Sequence, residues 1–172
     1  MRYIKNFVSK VKMHICPSAY LRSLGAEIGE GCEIYPSANF GNEPYLIKLG
    51  NHVRVNEGVQ FITHDGGVWV LRALEDELRD IDLFGKIEVG NNVHIGTNAV
   101  LMPGVTIGDS CIIGCGAVVT KSIPANSIVG GVPARIIETV EEYKEKHMDD
   151  FEHTKYMSGT DKKEFLKKKY KF

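Results

Sequence analysis

The chain has no run of 18 apolar residues, the length that a membrane-spanning helix requires. We also find no apolar signal-peptide core near its start and no Cys-x-x-Cys pair with zinc-ligand spacing. Its 21 basic and 22 acidic residues give a net charge of −1. These absences argue against a membrane-spanning protein, a nucleic-acid binder and an acidic disordered chain. A length of 172 residues suits one domain that folds without a disulfide scaffold.

Glycine, by contrast, is abundant and unevenly placed. Of the 18 glycines, 17 lie between Gly25 and Gly131. That placement predicts frequent turns in the middle of the chain.

An internal period of six residues runs through the same stretch. Large apolar residues occupy twelve of twelve positions, in three runs. The runs are Ile28, Ile34 and Phe40; Leu49, Val55 and Phe61; and Val89, Ile95, Leu101, Ile107, Ile113 and Val119. Glycine follows seven of these residues, and a small or branched residue usually stands two positions before. Residues two apart share one side of a strand, so each unit is a short strand and a corner. Such units bury their inner side only by stacking, which predicts a parallel β-helix.

The segment V-G-N-N-V-H-I-G-T-N-A-V-L-M-P-G-V-T-I-G-D-S-C-I-I-G-C-G-A-V-V-T-K-S-I-P carries the pattern most clearly. It resembles the hexapeptide-repeat acyltransferases, and most closely the sugar and polysaccharide O-acetyltransferases of the galactoside and maltose type. The resemblance covers residues 25–137 and implies an all-β fold, a left-handed parallel β-helix with 18 residues per coil. We expect Cys32 and Cys111, which fill small-residue positions of the repeat, to be reduced, as in a cytoplasmic protein.

The segments outside the repeat have a different character. Residues 1–24 predict an N-terminal helical cap, with Ile4, Phe7, Val8, Val11 and Ile15 at helical spacing on its packed face. Residues 138–172 predict a C-terminal helix and a lysine-rich tail. For both ends the alternative is a contact with a membrane surface, which we expect to be peripheral at most.

Outward-facing residues of the coils stack at intervals of 18. Val100 and Val118 form an apolar face that a trimer contact or the C-terminal helix could cover, whereas His94 stacks on Ile112 on a second face. The resemblance implies a homotrimer with its sites between subunits.

Two interruptions break the repeat. Three extra residues fall around Asn42-Glu43-Pro44, and an extended loop of about 20 residues spans 63–86. The loop contains Trp69, the one tryptophan, and is not of low complexity, so we expect a folded lid.

His64, at the start of this loop, is the predicted catalytic residue. The segment F-I-T-H-D-G-G-V-W resembles the loop root at which family members carry a general base. A neutral imidazole can take the proton of a sugar hydroxyl as that hydroxyl attacks the thioester of acetyl-CoA, and a backbone N–H can stabilise the oxyanion. The thiolate then leaves directly, without an acyl-enzyme.

The other candidate residues are expected to orient His64, to bind the acceptor or to bind acetyl-CoA. Glu43 is predicted above Asp65 as the carboxylate that orients His64 or binds the acceptor. Asn39 matches an acceptor-binding asparagine of the family, and Trp69 is a candidate wall of the site, because His94 stands where galactoside-type relatives have tryptophan. The resemblance places the acetyl-CoA groove along a set of seven residues. They are Thr97, Cys115, Gly116, Ala117, Thr120, Lys121 and Arg135.

These features predict an acetyl-CoA-dependent O-acetyltransferase that acts on a sugar in surface polysaccharide synthesis, with no metal. N-acetylation of an amino sugar and acetylation of an antibiotic remain open. A non-catalytic β-helix scaffold and a γ-type carbonic anhydrase are the alternatives from other classes; the latter needs a close histidine pair that the sequence lacks.

Overall fold

The computed structural model describes residues 11–172. Ile4, Phe7 and Val8 of the predicted apolar helix face lie outside these residues. Residues 11–15 are helical, but Ile15 is 78% exposed and Met13 is the buried residue. The predicted packing face is therefore wrong in this part, because the side of the helix that joins the core is the one that carries Met13.

Three parallel sheets form the body of the protein, and successive strands along the chain belong to successive sheets. Face A consists of β1 (Glu27–Ile28), β3 (Ile47–Leu49), β6 (Ile87–Val89) and β9 (Thr106–Ile107). Face B consists of β2 (Glu33–Ile34), β4 (Val53–Val55), β7 (Val93–Ile95), β10 (Ile112–Ile113) and β12 (Ser127–Gly130), with β13 (Arg135–Thr139) antiparallel at its end. Face C consists of β5 (Gln60–Phe61), β8 (Val100–Leu101) and β11 (Val118–Val119). The predicted parallel β-helix is confirmed.

The inner side of the coils is a continuous apolar core. All twelve residues predicted to point inward are at most 7% exposed. Small residues two positions before them, such as Ala99 and Ala117, are fully buried too. Strand alternation alone therefore specifies which side chains fill the space enclosed by the three faces.

Strand register shows where the repeat breaks. Regular coils pair residues 18 apart, as in Val100 with Val118. The first coil pairs Glu33 with Arg54, 21 apart, which accommodates the three extra residues. The next pairs Gln60 with Val100, 40 apart, which accommodates the long loop. Both breaks follow an inward phenylalanine at the end of a face C segment, so they lie on the same edge, between faces C and A (the C–A edge), about 4.8 Å apart.

The repeated glycines have a role other than the predicted turns. Of the glycines that follow inward apolar residues, Gly41 alone has a positive φ. A Cβ on Gly50 would lie 2.6 Å from the carbonyl oxygen of Gly90, and one on Gly108 would lie 2.4 Å from the amide nitrogen of Ala125. Glycine is needed there because stacked backbones approach too closely for a side chain.

Helices occur outside the coils, so the label all-β describes the repeat and not the whole described chain. Besides the helical residues 11–15, they are α1 (Pro17–Ser23), α2 (Val68–Leu74), α3 (Val140–Lys146) and α4 (Gly159–Tyr170), together with 3₁₀ helices at Pro44–Leu46, Asp76–Leu78 and Met148–Asp150. Arg22 of α1 donates to the carbonyls of Ile28 and Gly29, at 2.8 Å each, and so secures the first coil.

Contacts divide the chain into two compact units, Met1–Glu141 and Glu142–Phe172. In the second unit the Ser158 hydroxyl accepts a hydrogen bond from the amide of Asp161 and thereby caps α4. Among the helices of residues 11–172, none is long and apolar enough to cross a membrane.

Candidate active site

The root of the long loop is closed by a short antiparallel contact. His64 bridges to Phe84, the amide of Asp65 donates to the carbonyl of Leu83, and the amide of Gly85 donates to that of Thr63. The loop therefore leaves and rejoins the coils at one point. Inside the loop, the Arg72 guanidinium of α2 binds the carbonyl of Ile81, so the segment is folded as expected.

Glu43 reaches this root from the three-residue insertion. Its Oε2 atom accepts a hydrogen bond from the Thr63 hydroxyl at 2.6 Å and lies 3.1 Å from Nδ1 of His64. The Glu43 side chain is 14% exposed and that of His64 is 46% exposed. The hydrogen bond from Thr63, and then the contact with His64, hold the pKa of the Glu43 carboxyl below its ordinary value against the opposing effect of desolvation.

This arrangement defines the tautomer of His64. An ionised carboxylate is only an acceptor, so the contact with Glu43 requires a proton on Nδ1. The Nε2 atom of the neutral ring then carries the free lone pair. His64 is thus an exposed imidazole held at one nitrogen and basic at the other.

The remaining candidates near the loop are placed differently from one another. Asp65 is turned into the loop, where Oδ1 accepts from the amide of Gly67 at 2.7 Å. The amide side chain of Asn39 lies on face C, one coil from His64, and donates to Gln60 at 2.9 Å. Trp69 lies on α2 and is 75% exposed. The aromatic ring described beside His64 is Phe84, with centroids 6.2 Å apart.

Two residues of this cluster were not predicted from the sequence, namely Thr63 and Phe84. A signal for Thr63 exists, because Val59, Phe61 and Thr63 alternate and so share the inward side of the strand. Phe84 has no such signal, because only the pairing of the two loop ends brings it beside His64.

The proposed groove residues of the repeat divide between two edges of face C. Thr97, Cys115 and Gly116 lie at the corners between faces B and C (the B–C edge), and the Gly116 amide donates to the Thr97 carbonyl. The thiol of Cys115 is free and exposed, and a Cβ on Gly116 would meet no described atom within 4 Å. The side chain of Ala117 is buried in the core, so only its backbone faces this edge.

Thr120 and Lys121 follow β11 at the C–A edge, the edge that also carries His64. Both are exposed. Arg135 begins β13 and pairs in the ladder with Gly130. The proposed groove residues of the repeat therefore lie on both edges of face C.

His94 lies outward on face B. Its Nε2 atom is 3.3 Å from the side-chain amide nitrogen of Asn56. Burial, and then the charge of Arg54, lower the pKa of His94, which favours its neutral form. Within residues 11–172, no group of three His, Cys, Asp or Glu side chains is arranged to hold a metal ion.

A prism of six-residue repeats with a histidine–carboxylate pair at the root of a folded loop defines the class of hexapeptide-repeat transferases. Residues 86–121 match the family described as bacterial transferase hexapeptide, six repeats. Protein CapG of Staphylococcus aureus is 45% identical over 153 residues, which cover 88% of this chain and 87% of that protein. The chain belongs to the hexapeptide-repeat transferase family, as the sequence predicts.

Two further relatives have named activities. Galactoside O-acetyltransferase of Escherichia coli strain K12 is 34% identical over 132 residues, which cover 76% of this chain but 62% of that protein. A solved structure of a galactoside acetyltransferase in complex with coenzyme A superposes with a TM-score of 0.55 at 25% identity. That alignment covers 83% of this chain and 82% of the other.

Proposed function

We propose that this protein is an acetyl-CoA-dependent O-acetyltransferase that acts on a sugar hydroxyl in surface polysaccharide synthesis. The observation that carries the proposal is the His64–Glu43 pair, held at the loop root of a fold shared with galactoside O-acetyltransferases. The polysaccharide assignment rests on the resemblance of the loop segment to that of sugar O-acetyltransferases. The left-handed winding of the coils belongs to the same proposal, because it rests on the family resemblance.

In the proposed mechanism Glu43 accepts a hydrogen bond from Nδ1 of His64, and His64 acts through Nε2. As the acceptor hydroxyl attacks the thioester carbonyl, Nε2 takes its proton. A backbone N–H stabilises the oxyanion of the tetrahedral intermediate. The carbon–sulfur bond then breaks, and the leaving thiolate takes the proton from the imidazolium. The products are the acetyl ester and CoA, and the imidazole returns to its neutral form.

For the acceptor, Asn39 pairs with Gln60 on face C, one coil from the segment that leads to His64, which supports its assignment as an acceptor-binding residue. Asp65 is less suited to orient His64, because its carboxylate is used by the loop backbone. Trp69 is exposed on the lid and free to cover a bound sugar.

For acetyl-CoA, the B–C edge offers the half-buried Thr97 and the exposed, small Cys115 and Gly116, which suit a pantetheine chain close to the backbone. Lys121, with Thr120 and Arg135, supplies cationic and polar groups for the nucleotide end. Because these sets lie on different edges of face C, we assign each site to two neighbouring subunits of a homotrimer. A monomeric mass by light scattering would contradict this assembly. The use of acetyl-CoA as a substrate supports a cytoplasmic location.

An acceptor screen tests the proposal. Purified protein is incubated with acetyl-CoA and a panel of glycans, amino sugars and chloramphenicol, and free thiol is measured. We expect release of CoA with a glycan and a 10²–10⁴-fold loss of kcat/KM in the His64→Ala variant, the typical contribution of a general base. His153→Ala, which removes an exposed histidine of the other compact unit, is the matched control. Wild-type turnover by His64→Ala would refute the mechanism, and transfer only to amines would refute the O-acetyl assignment.

A further inference from the structure

Thr63 is one of three polar residues that are buried within residues 11–172, and it is 1% exposed. Its hydroxyl and the exposed imidazole of the next residue, His64, contact the same carboxylate, that of Glu43. The hydroxyl donates to Oε2 of Glu43 at 2.6 Å, whereas His64 Nδ1 is 3.1 Å from the same oxygen. The shorter contact of the carboxylate is therefore with a residue that the mechanism does not use.

The direction of this hydrogen bond matters for the chemistry. A hydroxyl that donates to a carboxylate stabilises its ionised form, and this bond is the largest cause of the lowered Glu43 pKa. Because Thr63 and His64 meet one oxygen, the hydroxyl also fixes how the carboxylate is rotated. A carboxylate that gained a proton or turned away would no longer define which ring nitrogen of His64 is protonated.

The backbone makes the hydroxyl well suited to this task. The carbonyl of Thr63 accepts from the amide of Gly85, so Thr63 is anchored at the point where the loop rejoins the coils. Gly41 lies on the other side of the hydroxyl: a Cβ there would be 3.5 Å from Oγ1. Thr63 is thus held between the two interruptions of the repeat, and Glu43 and His64 come from one interruption each.

We propose that Thr63 is a positioning residue, whose buried hydroxyl holds the Glu43 carboxylate so that His64 is protonated at Nδ1 and basic at Nε2. The proposal rests on the proposed acetyl transfer for its kinetic consequence. Its structural consequence, the tautomer of His64, does not depend on which reaction the protein catalyses.

Two variants and a control test this role. Thr63→Val keeps the shape of the side chain but removes the donor, and Thr63→Ser keeps the donor. Ser127→Ala removes another buried hydroxyl, which donates to the carbonyl of Ala125. We expect Thr63→Val to lower kcat by about 10–100-fold, the value of one hydrogen bond to a charged group, with the KM for acetyl-CoA unchanged. Thr63→Ser should stay within threefold of wild type, and Ser127→Ala should match wild type.

Nitrogen-15 NMR of the histidine rings gives a readout that a merely structural role would not move. Wild type should show His64 protonated at Nδ1, and Thr63→Val should show a mixture of tautomers. In the same variant the carboxyl carbon of Glu43 should titrate at a higher pH than in wild type. If Thr63→Val does not fold, Thr63→Ala, which also lacks the donor, takes its place and should show the same mixture of tautomers. In wild type a His64 protonated at Nε2 would overturn the proposal.

Kinetics and NMR separate the two hypotheses. If wild type transfers acetyl to no acceptor while Thr63→Val still changes the tautomer, acetyl transfer fails and the positioning role stands. If Thr63→Val keeps both the wild-type tautomer and the wild-type kcat, the positioning role is refuted whatever the reaction.

Discussion

Replacing Gly96 by alanine should destabilise the protein strongly, although alanine is the smallest possible addition. A Cβ at this position would lie 2.6 Å from the amide nitrogen of Cys115 and 2.7 Å from the carbonyl oxygen of Ile113. Both atoms belong to the backbone of the next coil, so no side-chain rotation relieves the overlap. The coils must separate instead.

The size of the effect follows from this geometry. The Cβ falls about 0.8 Å short of ordinary van der Waals contact with the Cys115 nitrogen. Overpacking of a core costs about 1–3 kcal/mol. Separation of the coils also weakens the hydrogen bond from the Gly96 amide to the Ile113 carbonyl, worth about 1 kcal/mol. We expect Gly96→Ala to lower the free energy of unfolding by about 2–4 kcal/mol.

Two other glycines provide graded controls. Gly104 has φ +81°, and a Cβ there would meet no described atom within 4 Å, so Gly104→Ala should cost about 1–2 kcal/mol through backbone strain alone. Gly66 has open space and no positive φ, so Gly66→Ala should be neutral or stabilise by up to about 1 kcal/mol. Urea unfolding followed by circular dichroism, at one protein concentration, measures all three.

The order of the three variants is the decisive result. Gly96→Ala should be the least stable because backbones approach closely there, and Gly104→Ala should be intermediate because only its backbone is strained. Gly66→Ala should be the most stable because its position is open. If Gly96→Ala lost less than about 1 kcal/mol, or if Gly104→Ala were the least stable, the steric explanation of the repeated glycines would be refuted.

Two further predictions concern the candidate groove. A thiol reagent should modify the exposed Cys115 quickly, and acetyl-CoA should protect it; Cys111 should react only after unfolding, because burial raises its pKa and hides it. If acetyl-CoA did not slow the modification of Cys115, the assignment of this residue to the groove would be wrong. Lys121→Gln should raise the KM for acetyl-CoA about fivefold with kcat unchanged, as expected for an exposed charged contact, whereas Lys155→Gln should have no effect. Equal KM values for the two lysine variants would contradict the assignment of Lys121.

Part of the candidate site could be predicted from sequence because the repeat shows which segments lie one coil apart. Counting 18 residues back from Phe61 leads to Glu43, but the coil with the three extra residues pairs residues 21 apart, so Phe61 stacks on Phe40 and Glu43 lies level with His64. The period alone does not decide between Glu43 and Asp65. That choice depends on the direction of the Asp65 side chain, which accepts a hydrogen bond from the Gly67 amide inside the loop.

The sequence by itself determined the fold of the coils and the composition of the core. Alternation within a two- or three-residue strand is a local property, and it identified all twelve inward residues. It also located both interruptions, since a break in a strict period is visible in one dimension. The same reasoning did not find the buried side of the N-terminal helix, because Val11, Met13 and Ile15 are all apolar and only the surface they meet distinguishes them.

Only the tertiary structure decided the features that depend on contacts between coils. It showed that glycine at positions such as Gly50 and Gly96 serves close stacking rather than turning. It brought the Thr63 hydroxyl and the His64 imidazole to one carboxylate oxygen of Glu43. These outcomes depend on distances of a few tenths of an ångström between segments that lie on different coils, which a periodic pattern does not encode.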